Sequence, residues 1–226
     1  MALTKATYSM ILGAPANVLD YGASTSASAS VNAAAFAAAL AASSDIYVPA
    51  GTYAITTIAI PNKRVRIFGE GIETTILQTT STYGVNFDHF SSTYLNRFSV
   101  IENMSINAAT GTVGLMVNNG GIYATNLYIY GGDKGIYLAN SVLGNYQNIV
   151  SCGENYCIYV GTAPSPAAGE VVQLNNFTNV SCNPNAPSDY PFGLLVAGTV
   201  QFYLNTFINL DAEKDRKSTR LNSSHT

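Results

Sequence analysis

Tryptophan is absent from the 226 residues, histidine occurs twice, cysteine three times, and only 10% of the chain is charged. Each shortage excludes something. With one histidine, His89, outside the last dozen residues, there is no Cys/His cluster at zinc spacing. No metal or cofactor is expected, and no glycine-rich loop has the phosphate-binding pattern. A net charge of −3 leaves no clustered basic face for nucleic acid. Cys152, Cys157 and Cys182 are an odd number in a sizeable chain, which argues against a disulfide framework. Val150-Ser151-Cys152 and Val180-Ser181-Cys182 repeat at a spacing of 30, so both outer thiols are expected at equivalent packing positions. No window reaches the roughly 18 apolar residues of a membrane span, so no membrane insertion is expected. The first residues, Met1 to Lys5, lack the apolar core of a signal peptide.

What is present is a core-forming composition, 47% hydrophobic with 15 tyrosines and 19 glycines, and a repeat. Five segments read small residue, apolar, any, apolar: Gly84-Val85-Asn86-Phe87, Gly114-Leu115-Met116-Val117, Gly135-Ile136-Tyr137-Leu138, Cys157-Ile158-Tyr159-Val160 and Gly193-Leu194-Leu195-Val196. Their starts lie 30, 21, 22 and 36 residues apart. Between them run Asn103-Met104, Asn126-Leu127, Asn148-Ile149 and Asn179-Val180, spaced 23, 22 and 31. A period near 22 with insertions predicts a solenoid, in which each repeat buries its apolar face by stacking on the next. Strand alternation puts the first and third apolar residues inward. The middle position, Asn86, Met116, Tyr137, Tyr159 and Leu195, then forms an outward column.

Upstream, Ser24–Ser30 leads into an Ala-rich helix ending near Ser43, with Phe36 and Leu40 on one face and Ser28, Ser30 or Asn32 as its cap. This helix is expected to cover the first repeat. From Asp215 the composition shifts, and Asp215 to His225 reads residue for residue like the translation of a constant sequencing adapter. The expected organisation is a lead-in over 1–17, one repeat domain over 18–214 cut short at its C-terminal end, and a non-native tail over 215–226.

Val18-Leu19-Asp20-Tyr21-Gly22-Ala23, the Phe36/Leu40 helix, Val48-Pro49-Ala50-Gly51-Thr52-Tyr53, and Phe68-Gly69-Glu70-Gly71 through Leu77 together resemble the start of the pectate-lyase-like superfamily. The lead-in Leu3 to Ile11 followed by Gly13-Ala14-Pro15 resembles that of bacteriophage tail spikes and tail fibres carrying this domain. The resemblance implies an all-β fold, a right-handed single-stranded parallel β-helix with an N-terminal capping α-helix. It further implies a homotrimer in the virion, made in the host cytoplasm, whose partner is a bacterial surface polysaccharide. Two other readings stand beside it: a non-catalytic structural or receptor-binding module, and a secreted cellular lyase or glycosidase. The turn before the helix, Ser24 to Ala35, lacks the acids common in the family, and no Gly-His-Gly supports its polygalacturonase branch.

Polysaccharide cleavage requires carboxylates close together on the outer surface. Asp133, two residues before Gly135, and Glu154, three before Cys157, fall at one corner of adjacent repeats, with Asp189 reaching in from a longer loop. These are the candidate catalytic residues, against the ordinary alternative of solvated turn acids. Tyr137 and Tyr159 are candidates either for stacking sugar rings or for a trimer interface. Glu102, beside Thr125 and Gln147, and Asp88, opposite Asn118, read as structural acids, and Asp20 as part of the fold signature.

Overall fold

The computed structural model describes residues 13–88, 98–118, 120–162, 171–182, 192–197 and 200–212. Among them is one α-helix, Ala29–Ala42, and otherwise mostly parallel strand. His89, Asp189 and the 215–226 tail lie outside the described residues.

The helix buries Asn32, Ala35, Phe36, Ala39 and Leu40, the i, i+3, i+4, i+7, i+8 set of one face. Phe36 meets Tyr53 edge-on at 6.5 Å. Asn32 is not the cap expected of it. Its fully buried amide donates to the carbonyls of Ser24 (3.0 Å) and Ala54 (2.9 Å) and accepts from Ser24 N–H (2.8 Å). It thereby ties the helix entry to the strand Gly51–Ile55. Ser28 is the N-cap, and its side chain makes no capping bond.

The first sheet takes, in order, Ala16–Asn17, Asp45–Tyr47, Arg66–Phe68, Val100–Ala108, Tyr123–Gly131, Asn145–Cys152, Asn176–Cys182 and Thr206–Ala212, each parallel to its neighbour. The second takes Ile58–Ala59, Tyr83–Phe87, Val113–Asn118, Lys134–Val142, Tyr156–Val160 and Phe192–Val196. From Val100 to Cys152 the chain crosses from one sheet to the other and back, each repeat contributing one strand to each; beyond that, the short strands Val171–Gln173 and Gln201–Tyr203 join the second sheet before each return to the first. Between the sheets lies one apolar core that includes Ile106, Leu127, Ile129, Ile136, Leu138, Ile149, Ile158 and Val160, all 0–1% exposed. Within it Tyr146, Phe177 and Phe207 stack in register, centroids 4.7 and 4.8 Å apart and planes within 9°.

The glycine opening the first three repeat phrases has a steric cause. A Cβ on Gly84 would lie 2.7 Å from the carbonyl oxygen of Gly114, one on Gly114 2.9 Å from that of Gly135, and one on Gly135 2.9 Å from that of Cys157. The asparagine phrase has a different one. Asn103, Asn126, Asn148, Asn179 and Asn209 all sit at φ between 52° and 58°, the left-handed region that asparagine tolerates. Each after Asn103 donates its side-chain amide to the preceding one, at 2.9 to 3.2 Å. Asn209 extends the series by a member not included in the sequence reading.

Two expectations are corrected here. The asparagine ladder pairs Ser151, not Cys152, with Cys182. Counting from Asn148 and Asn179 leaves the second segment one residue short, and one residue reverses a strand side chain. Met116 shares the register of Tyr137 and Tyr159 but is 0% exposed. It packs with Val113 and Ala139 beneath the rings of Tyr83 and Tyr137, so the column is not an open apolar face along its length.

Candidate functional site at the Lys134 corner

A tight corner joins the strands Tyr123–Gly131 and Lys134–Val142. Gly131 and Gly132 make it with φ of 69° and 70°. A Cβ on Gly131 would stand 2.2 Å from the Ala108 carbonyl oxygen, so only glycine fits. The turn delivers Asp133 N–H to the carbonyl of Thr112 at 2.7 Å and starts the next strand at Lys134.

Asp133 and Lys134 then form an ion pair, their side chains 22% and 19% exposed. The Asp133 Oδ1 atom also accepts from Asn155 Nδ2 at 2.7 Å, and Oδ2 receives the lysine, so both carboxylate oxygens are engaged. Lys134 Nζ lies 4.8 Å from the ring centre of Tyr159, 5.4 Å from Tyr156 and 6.0 Å from Tyr137. These distances are within reach of cation–π attraction. The rings brace one another: Tyr137 meets Tyr159 edge-on at 4.9 Å, and Tyr156 meets Tyr159 at 5.1 Å. The Tyr137 hydroxyl donates to the Thr162 carbonyl.

Glu154 occupies the same corner one repeat later, its N–H on the Gly132 carbonyl at 2.6 Å. Asn155, not Glu154, is directly opposite Asp133, its N–H on the Asp133 carbonyl at 3.1 Å. Glu154 Oε1 instead accepts from the hydroxyl of Thr110 at 2.8 Å, reaching past Gly132, which has no side chain to intervene. The two candidate carboxylates thus share a corner but have separate partners. Tyr137 and Tyr159 are brought together, both partly exposed.

Lys134, Asn155, Tyr156 and Thr110 were not singled out from sequence. The signal for two of them was available: Lys134 and Tyr156 each precede the small residue of their phrase, and they are direct register partners. Asn155 and Thr110 have no such cue, because the corners vary in length.

The structural acids are placed as expected. Glu102 lies beside Thr125 and pairs with Arg66 at 2.7 Å, and Arg66 stands 4.2 Å over Phe68. Asp88 accepts from Asn118 Nδ2 at 2.7 Å. A second tyrosine pair, Tyr128 and Tyr130, stacks at 4.7 Å on the first sheet, where burial raises both phenols above their ordinary range. Hydrogen bonding to Cys182, then burial, pushes the Cys157 thiol up, as suits a packing residue. Among the described residues, no group of three or more His, Cys, Asp or Glu could hold a metal ion. No helix among them is long and apolar enough to cross a membrane.

No family model and no curated protein matches the chain. Among solved structures it is similar to ORF18 of Geobacillus virus E2, a phage protein, at 18% identity and a TM-score of 0.47. The alignment covers 86% of this chain and 49% of that one, so the chain spans about half the length of that protein. Nothing about the chemistry of the Lys134 corner follows from a likeness at that level.

Proposed function

We propose that the chain is the right-handed parallel β-helix module of a phage virion, made in the host cytoplasm, and that it binds bacterial surface polysaccharide at the Lys134 corner. The alternation of strands between two parallel sheets, at a period near 22 residues, supports the β-helix reading. The lead-in Leu3 to Ile11 with Gly13-Ala14-Pro15, which resembles that of phage tail spikes and tail fibres, supports the virion reading.

The observation that carries the binding reading is the tyrosine trio around Lys134. Partly exposed rings offer flat apolar faces with hydroxyl edges, which match the two sides of a pyranose ring. Asp133, Asn155, Thr110 and Glu154 supply hydrogen-bonding groups beside them. Binding without cleavage is favoured over depolymerisation because both Asp133 oxygens and one Glu154 oxygen are already held by protein partners. A glycosidase would need one of them turned to the scissile bond.

The test is to incubate the protein with capsular and O-antigen polysaccharides and follow both retention and new reducing or unsaturated ends. Saturable retention without new ends is expected. Cleavage abolished in both Asp133→Asn and Glu154→Gln would make the corner a depolymerase site, and absence of retention on every glycan would overturn the proposal.

A further inference from the structure

The small residue that opens a repeat phrase on the second sheet lies against the end of the next repeat's first-sheet strand. The parallel register puts Gly114, Gly135 and Cys157 in one column and Ile129, Ser151 and Cys182 in the column facing it. The two columns touch. A Cβ on Gly114 would run into Ile129 Cγ2, and one on Gly135 into Ser151 Oγ. Glycine is the residue that fits the first column beside those side chains. Among the five phrases, only Cys157 opens with a side chain, and the residue facing it is the other cysteine. Both columns change to cysteine at the same repeat.

The spacing between the columns is close to that of a disulfide. A Cβ on Gly135 would stand 3.3 Å from Ser151 Cβ, and disulfide Cβ atoms lie about 3.5–4.5 Å apart. Cys182 takes over the role of Ser151 one repeat later. The Ser151 hydroxyl donates to the Cys157 carbonyl at 2.7 Å, and the Cys182 thiol donates to the Gly193 carbonyl at 3.5 Å. Cys157 and Cys182 are both fully buried and hydrogen-bonded to each other. Cys152 stands apart from the pair. It is one residue beyond Ser151, on the opposite side of its strand, and hydrogen-bonds with Tyr128. The odd cysteine count thus excludes a framework but leaves one bond and one free thiol.

We infer that Cys157 and Cys182 are a latent disulfide, closed by a disulfide oxidant such as oxidised glutathione, that staples the second sheet to the first. One thiolate attacks the glutathione disulfide and expels a glutathione thiolate. The other attacks the mixed disulfide and expels the second, so the S–S bond moves to the protein and two thiol protons pass to glutathione. Burial decides when this happens. Enclosed thiols supply little thiolate, so the bond closes while the chain folds or opens locally. A reducing cytosol keeps the pair as two packing thiols, and an oxidising medium closes it. Once closed, the link restrains the unfolded chain and raises stability.

The test is refolding of the full chain from urea, in reduced glutathione alone or with oxidised glutathione added. Free thiols are then blocked with iodoacetamide and the chain is cleaved after glutamate. That cleavage separates the three thiols, with Cys152 in 103–154, Cys157 in 155–170 and Cys182 in 171–213. The oxidised sample is expected to yield 155–170 joined to 171–213 by one disulfide, with Cys152 blocked. Its urea midpoint is expected above that of the reduced sample. C157G/C182S copies the Gly135/Ser151 arrangement of the preceding repeat, and its midpoint should be the same in both buffers. The peptide map is read on wild type and does not depend on that variant. Cys157 and Cys182 both blocked after oxidative refolding, a bond to Cys152 in place of the pair, or an oxidised midpoint no higher than the reduced one would overturn the inference.

Discussion

Asparagine at 103, 126, 148, 179 and 209 does two jobs at once. It takes up a left-handed backbone and passes one amide hydrogen bond to the neighbouring repeat. Removing one member interrupts the ladder on both sides. Asn126→Leu loses bonds to Asn103 and from Asn148 and places leucine at φ 52°. A loss of about 3–4 kcal/mol is expected in urea unfolding, from roughly 1 kcal/mol for each of the two hydrogen bonds plus 1–2 kcal/mol of backbone cost. Asn126→Gly, which keeps the backbone free, should lose less. The asparagines were legible in the sequence as phrases with a period, but what they do was not. A recurring residue announces equivalence of position, whereas the sign of φ and the direction of an amide depend on the neighbouring repeat.

At the scale of elements, the small-apolar-any-apolar phrase was legible because the requirement is steric and local. The next repeat's backbone runs where a Cβ would be. The acid pair was legible only to the corner. Corners differ in length, so Glu154 arrived opposite Gly132 and Asn155 opposite Asp133. The same one-residue uncertainty misaligned Cys152 with Cys182. The helix was found from Phe36 and Leu40, yet its anchor, Asn32, looked from sequence like a cap.

The aromatic stack between the sheets carries its own pH signature. Burial raises the Tyr146 phenol well above its ordinary value near 10, outweighing the Ser141 hydrogen bond, which acts the other way. The folded state therefore holds this proton more firmly than the unfolded state. Its contribution is intact below about pH 10 and is lost as pH rises from there toward the folded value, at about 1.4 kcal/mol per pH unit. Tyr53, Tyr83, Tyr128 and Tyr130 shift in the same direction, by burial first, and add to the trend. Urea midpoints should fall steeply between pH 10 and 11, and less steeply in Tyr146→Phe. Equal slopes would mean the phenol is not buried as described.

For the whole molecule, the repeat makes two long corners with contrasting chemistry. One carries the tyrosines, Lys134 and the carboxylates; the other carries Leu143, Leu174 and Leu204, exposed and at φ of 54° to 63°. A surface with few charges and no tryptophan leaves tyrosine as the ring available for sugar, and the chain gathers three around one cation. Tyr159 stands nearest that cation and touches both other rings. The most direct measurement is therefore calorimetric titration of wild type and Tyr159→Ala with the surface polysaccharide that wild type retains. Affinity is expected to fall about tenfold in the variant, the 1–1.5 kcal/mol of a lost ring contact, with its unfolding free energy within about 1 kcal/mol of wild type. Unchanged affinity in a folded Tyr159→Ala would contradict the account.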